Sequence, residues 1–351
     1  MSCSQPLPDD VGQIIQFPSP VPHILEPTES LVTRYQEAVD FTNSQLKIFW
    51  LPEEIKVEKD VQDVLTNFTE SEKHGILTTL KLFSLYELKA GAEYWSGRFT
   101  RTFPRPEFQR MGVTFAMFEL AVHKPFYNKI NELLHVSTDE FYESYVQDPT
   151  LKDRIDYIDS VINAPETPVG NLYSLGAFSM IEGAILYSSF AFIKHFQSKG
   201  KNKLLNIVRG INFSVRDENL HSIAGAWVFK RLKEQLNLTD GQKTELEASL
   251  TEAAQQLYEH EARIVEMTFE KGSIDGITAT QMLNFVKSRV NLCLNELGYP
   301  KLFEVKYNPI ADWFYDGIQG FQYNDFFSGV GASYHRDWDS TAFTWQGNAS
   351  S

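Results

Sequence analysis

Glu119, His123 and Tyr127 lie four residues apart in the segment FAMFELAVHKPFYNKINELL. Residues four apart on an α-helix differ by about 40° around its axis, so the carboxylate, the imidazole and the phenol are predicted to share one face. The rest of that face is apolar. Because the burial of an unpaired charge is costly, the pattern predicts a metal cation held between the glutamate and the histidine.

The second half of the chain repeats this pattern. Each half supplies a lone glutamate on one predicted helix and a Glu/His pair on the next. The six residues, in chain order, are Glu87, Glu119, His123, Glu182, Glu218 and His221. One carboxylate from each of two helices and a Glu/His pair from each of two others form the donor set of ferritin-like dimetal carboxylate proteins. Four carboxylates match the charge of two divalent ions, and the oxygen-rich set suits iron or manganese.

Some of these residues also have plainer interpretations. Glu87 could be a solvated helix residue, and Glu93 competes with it as a ligand, although Glu93 lies nearly two turns further along. Tyr127 could be a core tyrosine whose hydroxyl group bonds to a ligand. We expect His74 and His195 at the surface, because their neighbours in sequence are charged and polar.

Helical periodicity covers most of the chain and strand signals are almost absent, so the sequence predicts an all-α, ferritin-like bundle with a four-helix metal-binding core. The predicted helices span about 30–50, 69–95, 107–134, 151–162, 171–196, 201–236, 239–270 and 278–297. The run around Glu182 is apolar on all sides, which is typical of a fully buried helix.

We predict three regions, namely an extended arm over 1–29, the helical domain over 30–310 and a tail over 311–351. The tail is rich in Gly, Ser, Asp and scattered aromatic residues, among them Tyr334. Such a segment could dock on a partner protein or fold back on its own domain.

The composition narrows the range of partners. A formal net charge of −14 argues against direct binding to nucleic acid or to anionic membranes. The two cysteines, Cys3 and Cys293, are too few for a disulfide framework. We see neither a leader segment nor a stretch of about 18 apolar residues, so we expect a cytoplasmic protein without a membrane span.

Several motifs make the chain resemble the small, radical-generating subunit of class I ribonucleotide reductases. They are FWLPEE (49–54), the Glu87 helix, His123 with Tyr127, IEGAILYSSFAF (181–192), VRDENLH (215–221) and NPIADW (308–313). The resemblance extends from about Val32 to Tyr334, and VRDENLH is its most specific part.

The resemblance implies that all six Glu and His residues bind two metal ions, and that reaction with dioxygen leaves a radical on Tyr127. It further implies that Trp50, with Asp217 hydrogen-bonded near His123, begins a radical-transfer pathway that leaves the subunit at Tyr334. Asp217 would be the carboxylate that fixes the tautomer of a ligating histidine.

Two departures from the family pattern bear on the metal site. The family usually spaces its first pair Glu-x-x-His, whereas Glu119 lies four residues before His123. A π-bulge near Leu120 to Pro125 could absorb the extra residue, because Pro125 has no N–H to bond to the Ala121 carbonyl. Glu87 also stands where most members carry Asp, as it does in members with a manganese/iron pair, but those members tend to lack the radical tyrosine. We therefore favour two irons and leave manganese, alone or mixed, open.

The predicted function is that of a homodimeric small subunit, which passes an oxidising equivalent to a catalytic large subunit for the reduction of ribonucleoside diphosphates or triphosphates. An activase or a reductant protein could also bind. One alternative is a ferritin-like dimetal oxidase that acts directly on an organic substrate. Another is a metal-free helical interaction protein, which the four apolar-facing glutamates argue against.

Overall fold

The computed structural model describes residues 22–316 and 318. Its α-helices are α1 (Gln36–Lys47), α2 (Glu70–Leu88), α3 (Thr100–Thr102), α4 (Pro106–Phe118), α5 (Lys124–Leu133), α6 (Asp139–Gln147), α7 (Pro149–Ile162), α8 (Pro168–Ala184), α9 (Tyr187–Lys194), α10 (Leu205–Gln235), α11 (Asp240–Thr268), α12 (Ala279–Leu297) and α13 (Ala311–Phe314). Short 3-10 turns lie at His23–Leu25, Pro52–Glu54, Val57–Lys59 and Ser198–Gly200, and π-helical segments at Asp63–Asn67, Lys89–Phe99 and Glu119–His123. In this part of the chain β-structure is limited to one bridge, between Ile274 and Ile277, so the predicted all-α class is confirmed.

Threonine caps fix the starts of three long helices. Thr167, Thr239 and Thr278 each accept a hydrogen bond from the backbone N–H three residues later. At α11 and α12 a glutamine completes a reciprocal capping box, which satisfies two N–H groups that would otherwise lack partners. The boundaries predicted for α11 and α12 are therefore confirmed to within a residue or two.

The core that holds the six predicted ligands is built from α2, the α4–α5 pair, α8 and α10. The helix α8 packs along α10, α4 packs along the π-helical continuation of α2, and α5 packs on α2. The helices α11 and α12 cover the outer side of α8. This arrangement confirms the predicted ferritin-like bundle and encloses one interior between the four core elements.

The segment around Glu182 is buried along its whole central length, from Ser174 to Phe196, as predicted. Its wider span, Pro168–Gly200, has the length and hydropathy of a membrane-crossing helix, yet its most apolar window is entirely buried within the domain. The expectation that no segment reaches that composition is wrong. Because neighbouring helices cover this segment on every side, its apolar surface is not exposed to water.

Two π-helical segments interrupt the helices that carry the first three predicted ligands. Lys89–Phe99 continues α2 two residues after Glu87, and Glu119–His123 joins α4 to α5. The second segment lies where the bulge was predicted. The two segments touch at Gly91, where an added Cβ would lie 2.7 Å from Leu120 Cγ and 3.0 Å from Glu119 Cβ. A residue without a side chain is therefore needed for their contact.

Other expectations need correction. His195 is fully buried and not at the surface; burial lowers its pKa to about 4, and its Nδ1 bonds the Phe192 carbonyl. His74 is partly exposed and bonds the Met267 carbonyl at 2.9 Å.

The helix α1 begins later than predicted, and α6 occupies a stretch expected to be a connector. Most of the predicted arm and tail, with Tyr334, lies outside the described residues.

Candidate metal centre

The six predicted ligands meet in the interior of the bundle. Glu87 lies on α2, Glu119 and His123 on the π turn, Glu182 on α8, and Glu218 and His221 on α10. None of the six is more than 2% exposed. Ligand atoms of these residues form two groups, each within 4.8 Å, and Glu119 and Glu218 belong to both groups. The first group adds Glu87 and His123, and the second adds Glu182 and His221.

The two shared glutamates lie between the histidines. Glu119 directs Oε2 to His123 Nδ1 at 3.0 Å and Oε1 to His221 Nδ1 at 2.7 Å. Glu218 directs Oε1 to His123 Nδ1 at 3.4 Å and Oε2 to His221 Nδ1 at 4.0 Å. Both carboxylates therefore span the two halves, as ligands that bridge two metal ions would. Glu87 and Glu182 each approach one imidazole, at 3.6 Å, and would be terminal ligands.

Metal ions would satisfy polar atoms that the protein leaves without hydrogen bonds. Both carboxylate oxygens of Glu87 and Glu218, together with His221 Nδ1, lack an aligned hydrogen-bond partner in the described part of the chain. Buried polar groups are normally paired with a hydrogen-bond partner. This cluster of unpaired oxygen and nitrogen atoms, all of which can act as metal ligands, therefore fits a pair of cations. Four oxygen ligands and two nitrogen ligands suit iron or manganese.

The electrostatics of the protein alone show the same deficit of positive charge. Burial, with the neighbouring Glu119 carboxylate, raises the pKa of Glu87 well above its usual value. Burial and the same neighbour also raise the pKa of Glu218. Burial would lower the pKa of His221, but Glu119 outweighs this effect and raises it to about 9. In the absence of metal the cluster therefore retains protons, which bound cations would displace.

Asp217 and Trp50 hold the outer side of His123. Asp217 Oδ2 lies 3.1 Å from His123 Nε2 and accepts a 2.8 Å hydrogen bond from the indole N–H of Trp50. The carboxylate thus favours a proton on Nε2 and leaves the Nδ1 lone pair for the cluster. The structure thus brings Trp50, Asp217 and His123 into contact, and their role in radical transfer stays a prediction.

Tyr127 lies one turn beyond His123 and is fully buried. Its ring stacks on Phe83, with ring centroids 4.4 Å apart, and contacts Phe126. Its hydroxyl group has no aligned hydrogen-bond partner among the described residues, so it is not bonded to a ligand. Burial and the nearby Glu87 raise the pKa of the phenol well above its usual value.

The rival ligand Glu93 does not reach the cluster. It pairs with Lys89 at 2.9 Å, and its side chain is 44% exposed. Trp95, from the same π-helical segment, was not singled out in the sequence, yet its indole N–H donates a 2.7 Å hydrogen bond to Glu182 Oε1. No spacing motif marks Trp95, because its contact with α8 depends on the packing of the π-helical segment.

Comparisons with known proteins agree with this geometry. A family model described as "Ribonucleotide reductase, small chain" matches residues 30–309. The beta subunit of ribonucleoside-diphosphate reductase from Bacillus subtilis (strain 168) is 26% identical over 312 residues, which cover 84% of this chain and 88% of the relative. A probable ribonucleoside-diphosphate reductase small subunit of Invertebrate iridescent virus 3 is 23% identical and covers 81% of this chain and 78% of its own. The crystal structure of Streptococcus sanguinis dimanganese(II)-NrdF is similar with a TM-score of 0.71 at 19% identity, over 84% of this chain and 99% of that chain.

Deletion of Ala121 tests how the π turn places Glu119. Ala121 is an exposed residue of this turn, so its loss should remove the π turn and let α4 run into α5 through a kink at Pro125, with Glu and His three residues apart on one face. We expect the deletion variant to bind two Mn(II) ions per chain in metal analysis after anaerobic loading. Deletion of the exposed Val113, within the regular part of α4, should instead rotate the following core residues by about 100° and lower the melting temperature. Loss of an ion from the Ala121 variant alone would contradict the proposed role of the turn.

Substitution of Glu218 tests whether the two ligand groups share their carboxylates. Because Glu218 belongs to both groups, E218Q should weaken the binding of both ions, whereas E87Q should weaken one. The exposed E93Q variant is the matched control and should bind Mn(II) as the unaltered chain does. Equilibrium titration with Mn(II), followed by the EPR signal of the free ion, measures both steps. Unchanged binding in E218Q would show that Glu218 is not a shared ligand.

Proposed function

The chain belongs to the ribonucleotide reductase small-chain family, and we propose that it stores one oxidising equivalent on Tyr127, beside a dimetal centre, and passes it to the catalytic large subunit. The observation that carries this proposal is the convergence of four buried carboxylates and two imidazoles into two overlapping ligand groups. When bound, the metal ions would activate dioxygen and supply the oxidant for the phenol. Every other part of the function rests on residues of the chain.

Glu119 and Glu218 would each be shared by the two ions. Glu87 and Glu182 would each bind one ion. His123 and His221 present Nδ1 to the cluster. On the outer side, Asp217 Oδ2 lies within hydrogen-bond distance of both His123 Nε2 and the Trp50 indole nitrogen. This connected set can move an electron and a proton together away from the cluster.

The surroundings of Tyr127 support its role as the radical residue. Phe83, Phe126 and Tyr127 are all fully buried, and the two phenylalanine rings contact the tyrosine ring. A phenoxyl radical in this position would be shielded from solvent and from reductants. The hydroxyl group also makes no aligned hydrogen bond to the candidate ligands, so the ring is held by packing and not by the cluster.

Iron is the metal that we propose, with manganese, alone or in a mixed pair, as the alternative. The ligand set accepts both metals. The presence of Tyr127 supports iron, because the members of the family that carry Glu at the position of Glu87 and use a manganese/iron pair tend to lack this tyrosine. The solved Streptococcus sanguinis relative contains manganese, which keeps that metal open for this chain.

Family membership implies a dimer that acts with a large subunit. We propose that the tail over 311–351, through Tyr334, docks on that subunit and relays the oxidising equivalent. An activase or reductant protein would be a further partner. An oxidase that acts on an organic substrate would need an open pocket beside the metals, whereas the ligands here are almost fully enclosed and the relatives described above are reductase subunits.

Replacement of Tyr127 by Phe tests the site of the radical. After anaerobic iron loading and exposure to dioxygen, the unaltered chain should give a tyrosyl EPR signal. Y127F should lose that signal and keep its metal content, measured on the same sample, because the hydroxyl group binds no ligand. Tyr157 is also buried but bonds the Ala253 carbonyl on α11, so Y157F is the control and should keep the signal. A signal that survives in Y127F would place the radical elsewhere.

Two changes in the tail separate docking from radical transfer. A chain that ends at residue 333 should keep its metal content and EPR signal but lose reductase activity with the large subunit, because it can neither dock nor relay. The full-length Y334F variant should still compete with the unaltered chain for the large subunit, yet support no turnover. Activity in the truncated chain would refute the role of the tail, and activity in Y334F would refute the relay.

A further inference from the structure

The two terminal glutamates of the metal centre differ in their hydrogen bonds. Both oxygens of Glu87 lack an aligned partner among the described residues. In contrast, Glu182 Oε1 accepts the 2.7 Å hydrogen bond from Trp95 Nε1, while Oε2 lies 3.6 Å from His221 Nδ1. Glu87 therefore has two oxygens without a hydrogen bond, whereas Glu182 has one.

Packing holds the Trp95 indole firmly in place. The ring is fully buried and meets the rings of Phe115 and Phe178 edge to face, at centroid distances of 5.0 Å and 5.9 Å. It also contacts the ligand His221, with centroids 5.9 Å apart. Edge-to-face contacts of this kind fix the direction of a ring. The N–H group consequently points at Glu182 without freedom to turn away.

We propose that Trp95 is a positioning residue. Its hydrogen bond occupies Oε1 of Glu182, which leaves Oε2 as the single oxygen that this glutamate offers to a metal ion. The proposal rests on the dimetal site proposed above. It makes the ion held by Glu182 and His221 dependent on the indole N–H, and leaves the ion held by Glu87 and His123 independent of it. The two ions should therefore respond differently to the loss of this one hydrogen bond.

The size of the effect follows from the role of outer hydrogen bonds at metal sites. Loss of a partner that orients a ligating side chain typically costs about 10- to 100-fold in metal affinity. Glu182 would be free to rotate or to bind through both oxygens if the N–H were absent. We expect the ion held by Glu182 and His221 to lose affinity by that factor, so that one step of Mn(II) binding is weakened while the other stays unchanged.

A pair of variants at Trp95 isolates the N–H group from the bulk of the ring. Gln and Met side chains are similar in length and remove the same indole, but the Gln amide keeps an N–H donor the same number of bonds from Cα. The experiment is an anaerobic Mn(II) titration of the full chain, followed by the EPR signal of free Mn(II). W95M should show one weakened step, and W95Q should bind that ion at least about 10-fold more tightly than W95M.

Controls distinguish this role from a loss of packing. Trp227 is also buried, among Phe41 and Phe108, so W227M removes an indole away from the cluster and should bind both ions normally. Thermal unfolding of the metal-free variants monitors folding. If W95M does not fold, W95F and W95H make the same comparison with aromatic rings, of which only His carries an N–H.

Equal affinities for both ions in W95Q and W95M, or in W95H and W95F, would overturn the proposal, because the donor would then have no effect. Weakening of both steps by the same factor in W95M would also overturn it and indicate a general packing role. Failure of the unaltered chain to bind Mn(II) would be a different result, since it would refute the dimetal site itself.

Discussion

The burial of four carboxylates in one small volume is the constraint on which this structure depends. In the described part of the chain, the groups within ion-pair distance of Glu87, Glu119, Glu182 and Glu218 are the imidazoles of His123 and His221. Two imidazoles cannot neutralise four carboxylates, and the raised pKa values of Glu87 and Glu218 reflect this deficit. An interior so arranged is stable as an ionised site only with added cations. The surrounding aromatic and aliphatic core supplies the stability that the cluster itself does not.

Local helix geometry adjusts the ligands to this requirement. On a regular α-helix the extra residue between Glu119 and His123 would keep both side chains on one face, but it would rotate His123 by about 100° about the axis relative to the usual Glu-x-x-His spacing. The π turn widens the helix by that residue, and Pro125 favours the opening because it cannot donate to the Ala121 carbonyl. Gly91 then allows the neighbouring π-helical segment to pack directly on the widened turn. Two adjacent π-helical segments thus compensate for the unusual spacing between Glu119 and His123.

The fold and the clustering of the six candidate ligands could be predicted from the sequence because both depend on short-range patterns. Helical periodicity and threonine caps are local, and each half of the candidate set is a spacing along one or two helices. Which glutamates lie between the two histidines could not be predicted, because that depends on how the helices pack against one another. The burial of His195 and the contact of Trp95 were missed for a similar reason. Each arises from packing between helices, to which neighbouring residues in the sequence give no guide.

The two buried indoles at the cluster are not equivalent, and the difference gives the site a direction. Trp95 donates directly to the candidate ligand Glu182 and is enclosed by buried phenylalanine rings. Trp50 donates to Asp217, which belongs to neither ligand group, and its ring contacts the partly exposed Phe213. Asp217 thus lies between Trp50 and the candidate ligand His123, whereas no residue lies between Trp95 and Glu182. This difference supports the proposed exit on the His123 side and a fixed position for the indole on the Trp95 side.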